Sequence, residues 1–181
     1  MNNLLPNIQQ NLANGAYLDT DTLTEDTLAI TSLADSLGRD PQSIFEYVYN
    51  TIDFVPSYGV LQGADYTLES KRGNAFDTSL LLASLLKTTG TATRFAYGSV
   101  ELDINIAKNW LGHLKYADSV SNLMQQGGIP HQMYANGGGI EFVQFEHLWV
   151  QAFINGKWVD LDASIKTYDE LEGVDLSLIH I

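Results

Sequence analysis

Apolar residues recur at helical spacing in three places along the first half of the chain. Leu28, Ile30, Leu33 and Leu37 follow Thr24-Glu25-Asp26 and stop at Gly38, a pattern that predicts a capped helix. Asp40-Pro41 opens a second helix, with an N-cap, a proline at the first helical position, and Ile44, Phe45 and Val48 at the same spacing up to about Asn50. Phe54 to Gly59 is predicted to be extended or turning, because Pro56 disfavours helix before it. The third helix begins after Gly73. Phe76, Leu80, Ala83, Leu85 and Leu86 make it apolar nearly all round until Gly90, which predicts a buried central helix. The pattern then changes to strands. Residues 94–100 read as one. Residues 142–154, rich in aromatic and β-branched side chains, read as another, and Asn155-Gly156 joins it to 157–162 with the strongest local hairpin signal. Between them, 103–140 reads as an insertion, with a helix over 116–126, a Gly127-Gly128-Ile129-Pro130 break and a Gly137-Gly138-Gly139 loop. Residues 1–24, rich in Asn, Thr and Asp, read as a mobile lead-in.

The hairpin carries a geometric consequence. A two-residue loop at Asn155-Gly156 pairs Ile154 with Lys157 and, counting back, Trp149 with Asp162. Side chains alternate faces along a strand and paired residues share a face, so His147 points the same way as Asp162. The two are diagonal neighbours with Cβ atoms about 7 Å apart, within reach of an Asp–imidazole hydrogen bond. Asp160 shares the face but lies opposite Gln151, farther from His147, so Asp162 is the preferred orienting carboxylate. Val143, Phe145, Trp149 and Phe153 complete that face. An imidazole oriented by a carboxylate is half of a nucleophile-activating arrangement. It is equally what a buried histidine satisfied by a nearby acid looks like, and the pair alone does not separate the two.

Composition narrows the chemistry. The 181 residues suffice for one domain with a sizeable core, and 45% are hydrophobic. Nine Lys plus Arg stand against 22 Asp plus Glu, a formal net charge of −13, so nucleic acid and anionic membranes are not expected partners. There is no Cys, which excludes disulfides, thiolate metal sites and a thiol nucleophile. The opening segment is polar and lacks the apolar core of a signal peptide, and no run is long enough to span a membrane. No cofactor is called for, and His147, Asp162 and Asp77 lack metal-ligand spacing, so no metal is expected.

Lys71-Arg72-Gly73-Asn74-Ala75-Phe76-Asp77, then Glu146-His147-Leu148-Trp149-Val150, then Asp160-Leu161-Asp162-Ala163-Ser164 resemble, in that order, the three boxes of transglutaminase-like domains. Phe54-Val55-Pro56-Ser57-Tyr58-Gly59 and Arg94-Phe95-Ala96-Tyr97-Gly98 extend the likeness, which runs from about Ile44 to Tyr168. The resemblance implies an α+β, papain-like fold in which a central buried helix packs on an antiparallel sheet. It also implies a Cys–His–Asp site, with the Cys in a Gly-x-Cys-x-Asp motif at the start of the helix. Here that position holds Ala75, whose methyl group can neither attack an acyl carbon nor bind a metal. The string is similar to a bacterial subgroup carried within large secreted or surface polypeptides, in which Asn-x-Phe-Asp replaces the Cys box. That likeness implies that Ala75 is a subgroup trait; a laboratory Cys→Ala knockout stays open as the alternative. The site residues it implies are Ala75, as a vacant nucleophile position, His147 and Asp162.

The expected organisation is a lead-in and helix over 1–40 and a transglutaminase-like domain over 41–175. Residues 176–181, Leu-Ser-Leu-Ile-His-Ile, match a common sequencing-adapter end read in frame and are expected to be a library artefact. The expected function is a non-catalytic module of a larger bacterial protein, one that binds a peptide or protein side chain or serves as a scaffold. The alternative is acyl transfer or amide hydrolysis of the transglutaminase or cysteine-protease type, with a substitute nucleophile or in a form inactivated by Cys-to-Ala exchange. Of the hydroxyls, Thr78 and Ser79 read as ordinary helix residues, and Ser57 lies in the loop before the box. Localisation is left open; the resemblance points to a secreted or surface protein.

Overall fold

The structure, a computed structural model, describes residues 9–20 and 23–169. The adapter reading of 176–181 and the first eight residues of the lead-in lie outside them. In chain order the elements are β1 (Gln9–Asp19), α1 (Leu28–Ser36), α2 (Pro41–Thr51), β2 (Asp53–Phe54), α3 (Gly63–Ser70), β3 (Arg72–Gly73), α4 (Ala75–Thr88), β4 (Thr93–Asp103), α5 (Ile104–Trp110), α6 (Ala117–Gln126), β5 (His131–Ala135), β6 (Ile140–Ile154) and β7 (Lys157–Leu161).

The sheet runs β1-β4-β6-β5, with β7 also on β6, and its pairings are antiparallel. β6 is its spine. β4 pairs along one side from Phe142 to Ala152. The other side is shared: β5 takes Ile140 to Phe145 and β7 takes Val150 to Ile154. Residues 146–149 fall in the window between those two ladders.

Alternation along β6 sends successive side chains into two cores. Leu148, Val150 and Ala152 pack with α1, α2, α3 and α4. Val143, Phe145 and Trp149 pack with Trp110 of α5, Met124 of α6, and Ile165. Within α4, Asp77 through Leu86 are all buried, as a helix apolar on every side requires. The fold is therefore α+β and papain-like, with a central buried helix on an antiparallel sheet.

The local signals behave as their chemistry dictates. Asp40 accepts the Ser43 N–H at 2.8 Å ahead of Pro41. Asn155 and Gly156 both have positive φ, 51° and 78°, as a type I′ turn demands, and Ile154 pairs with Lys157. Three expectations are corrected. Residues 9–19 of the lead-in form β1, paired with β4. The cap of α1 is Thr27 rather than Thr24 to Asp26. Glu25 instead reaches across to accept the N–H groups of Ala64 and Asp65, at 2.8 and 3.1 Å, at the start of α3. The segment 103–140 holds α5 and β5 besides the helix read there, now α6.

Candidate functional site

The first turn of α4 is set by two buried polar residues. Asn74 caps it, accepting the Asp77 N–H at 2.9 Å. Its amide donates to the Gly59 carbonyl at 2.7 Å and to Ser57 Oγ at 3.2 Å. Asp77 places a single oxygen, Oδ1, under the N–H groups of Leu61, Gln62 and Gly63, at 3.1, 3.1 and 3.2 Å. The loop 57–63 is thus clamped from below, and Asp77 is a structural carboxylate. Gly73 is needed for space: a Cβ there would lie 3.0 Å from both Thr67 Cγ2 and Thr78 Oγ1. Ala75, 6% exposed, is the first residue of the helix proper.

His147 sits in the window between the β5 and β7 ladders. Asp162 follows Leu161, the last paired residue of β7, where the chain is free to turn toward the imidazole. His147 Nε2 and Asp162 Oδ2 are 2.7 Å apart, both residues buried. Asp162 Oδ1 accepts the Ser164 N–H (2.9 Å), the Ser164 hydroxyl (2.8 Å) and the Ile165 N–H (3.3 Å). Burial alone would push the Asp162 carboxyl up. The His147 charge, its hydrogen bond and those from Ser164 outweigh burial and hold the carboxyl below its ordinary value. Because a carboxylate can only accept, Nε2 carries a proton, and whenever the ring is neutral its lone pair lies on Nδ1. Nδ1 has no hydrogen-bond partner among the described residues. It is the nitrogen a general base would use.

The ring is held on both sides. Phe145 meets it edge-on, with centroids 5.5 Å apart, and Trp149 lies nearly parallel at 6.4 Å. Trp149 Nε1 donates to Asp160 Oδ1 at 2.7 Å, as does Gln151 Nε2 at 2.6 Å. The two acids therefore divide their work: Asp162 orients the imidazole, and Asp160 orients the indole beside it.

Two ties bring the start of α4 to this stretch of β6. Ser79, one turn on from Ala75, donates to the Leu148 carbonyl at 3.2 Å. Phe54, paired beside Gly73, packs on Trp110 with ring centroids 4.5 Å apart, and Trp110 stacks on Phe145 with centroids 5.3 Å apart. Trp110 also donates to the Ser164 carbonyl at 2.9 Å. On the opposite face of β6, the Tyr58 hydroxyl donates to Glu146 Oε2 at 2.6 Å, and the Tyr97 hydroxyl bonds the same oxygen. These bonds, Tyr58 first, hold the Glu146 carboxyl below its ordinary value. Burial first, then the Glu146 bond, pushes both phenols up.

The sequence reading assigned no role to Ser164, Trp110 or the Tyr58–Tyr97–Glu146 cluster. Only Ser164 had a local signal, since an Asp followed two residues later by a Ser is a turn signature in which the acid takes backbone N–H groups. Thr78 lies against Gly73 and Ser79 is spent on Leu148, so both serve the helix. Ser57 is the loop hydroxyl that the Asn74 amide holds. Among the described residues no group of three or more His, Cys, Asp or Glu is placed to hold a metal ion, and no helix is long and apolar enough to cross a membrane.

A central buried helix on an antiparallel sheet, with a buried imidazole–carboxylate pair on that sheet, is the arrangement of an α+β, papain-like fold. The sequence model of the transglutaminase-like superfamily matches residues 27–163, and the chain belongs to that superfamily. No curated protein and no solved structure matches it.

Proposed function

We propose that this transglutaminase-like domain is non-catalytic, a binding or scaffold module of a larger protein in which the His147–Asp162 pair outlives its nucleophile. One observation carries the reading. His147 and Asp162 are buried and fully organised at 2.7 Å, while the helix start carries a methyl group at Ala75 and the chain has no Cys. An acyl-transfer site needs an atom that can form the covalent bond, and the imidazole only moves a proton. The retained groups suit recognition instead: Nδ1 of His147 accepts a hydrogen bond from an amide or amine on a peptide or protein side chain, between aromatic walls.

A second reading, acyl transfer through a substitute hydroxyl, has one observation in its favour. Ser57 is held by the Asn74 amide at the mouth of α4.

The test is amine incorporation and amide hydrolysis by the natural chain, Ser57→Ala and Ala75→Cys. The natural chain is expected to be inactive. Ala75→Cys is expected to gain a thiol that iodoacetamide alkylates faster than free cysteine at neutral pH, since a helix N-terminus and an imidazole favour the thiolate. That gain should disappear when His147→Gln is added. Turnover by the natural chain, lost in Ser57→Ala, would establish the second reading and end the first.

A further inference from the structure

One half of the sheet has a face that no helix among the described residues covers. On the face of β6 opposite His147, the α1–α4 core begins at Leu148. Before it, Phe142, Gln144 and Glu146 are only partly buried. Their cross-strand neighbours are Tyr134 and Gln132 on β5, and Glu101 and Ser99 on β4. A cavity of about 360 Å³ opens here, lined by Ser99, Gln132, Gln144 and Glu146 among others, within the size range of small-ligand sites.

The polar atoms on this face are pre-set but unfilled. The Tyr134 hydroxyl donates to Gln132 Oε1 at 2.8 Å and lies 3.3 Å from Gln144 Oε1. The acceptor ends of both amides are thereby held, and neither Nε2 has a protein partner among the described residues. Glu146 is fixed through Oε2 by Tyr58 and Tyr97, and Oε1 has no partner among the described residues. Beside them Tyr134 stacks on Phe142, with centroids 4.6 Å and planes 14° apart, and Tyr134 is 37% exposed.

Amide donors, a carboxylate acceptor and a hydroxyl stand in adjacent rows, about 4.8 Å apart across strands, next to a flat ring. Each hydroxyl of a sugar both donates and accepts, and a pyranose offers an apolar C–H face to an aromatic ring. An anionic ligand would meet the net charge of −13 and, on this face, the Glu101 and Glu146 carboxylates, and a metal ion would find no group of three or more His, Cys, Asp or Glu placed to hold it among the described residues. We propose that this face binds a neutral oligosaccharide, independently of what the His147–Asp162 pair does.

The test exposes the full chain to an array of neutral, sialylated and sulfated glycans and then titrates a retained glycan by calorimetry. Retention of neutral glycans alone is expected. Affinity should fall at least about tenfold in Tyr134→Ala and in Gln144→Ala, the loss of one stacked ring or one paired amide. Lys157→Ala, at the far hairpin, should leave it unchanged. Gln132→Ala, exposed on β5, repeats the measurement should either of the first two variants fold poorly. The proposal falls if no neutral glycan is retained, if acidic glycans are preferred, or if affinity survives Tyr134→Ala and Gln132→Ala together. It also falls if a peptide, added to the free edge of β5 through its backbone, is the ligand that displaces or replaces the sugar.

Discussion

At Asp162 two effects act on one carboxyl group in opposite directions. Complete burial favours the neutral acid, while the His147 charge and the Ser164 hydrogen bonds favour the anion and prevail. Removing one member of such a pair strands the other in the interior, at a cost of about 3–5 kcal/mol. Asp162→Ala should lower the unfolding free energy by that order in urea. Asp160→Ala, exposed and bonded to neutral donors, should cost about 1 kcal/mol. The sign of the pH effect follows from the lowered carboxyl. Its contribution is complete above the ordinary value of 3.8 and is lost as pH falls through the lower folded value. The stability difference between the natural chain and Asp162→Asn should therefore be level above that point and shrink below it; a difference that grows in acid would refute the assignment. Lys166 shows the reverse case. Burial pushes its amine from 10.5 down to about 8, against the pull of Asp53 and Asp162, and the ammonium is held on the Tyr49 carbonyl. Between about 8 and 10.5 the unfolded chain binds more protons than the folded one, so stability should rise with pH across that window. Lys166→Met should flatten the rise, and the Nζ resonance of labelled protein should titrate near 8.

At the scale of elements, the site depends on how α4 holds its neighbours. Gly63 has φ +73°, and a Cβ there would lie 2.6 Å from the Glu25 carboxylate that covers the start of α3. A Cβ at Gly127 would lie 2.0 Å from the Pro56 carbonyl, a backbone atom that cannot rotate away. Both Gly→Ala changes should destabilise the domain by more than about 1 kcal/mol. The Gly127 change should also loosen the 56–59 loop, seen as faster amide exchange at Ser57 and Gly59; unchanged exchange would detach that loop from α6. These contacts mark what the sequence could and could not disclose. The central helix was legible because its apolar residues face every direction, and the hairpin because Asn-Gly fits only a few turns. Hairpin register alone put His147 and Asp162 together, and it ranked Asp162 above Asp160. α3 was not legible: it buries only Ala64 and Thr67 and is held by Glu25 and Asp77 from outside. β1 was hidden by Asn11, Asn14, Gly15 and Asp19, residues with little strand preference, and its pairing with β4 overrides them. α5 spans seven residues, too few for a period to show. The Tyr58–Glu146 bond joins residues 88 apart and leaves no local trace.

For the molecule as a whole, charge is the least balanced quantity. A net charge of −13 on 181 residues means that 22 acidic side chains stand against nine cations. The self-repulsion of that excess weakens the compact state more than the unfolded chain, which can expand to separate its charges. Its range is the Debye length, about 30 Å at 0.01 M salt and about 3 Å at 1 M; the first is comparable to a domain, the second shorter than a side chain. The cores around α4 and Trp110 are apolar and take no part in the screening. Sodium chloride should therefore raise the urea midpoint steeply at low concentration and level off once neighbouring carboxylates no longer sense one another. The leveling distinguishes screening from the exclusion effect of salts such as sulfate, which strengthens apolar burial without saturating. The buried His147–Asp162 pair is shielded from that salt, so the same rise should appear in Asp162→Asn on a lower baseline. A midpoint that falls with sodium chloride would mean that attractions among the nine cations and their partners outweigh the repulsion, and that surface ion pairs, rather than the two apolar cores alone, hold the fold together.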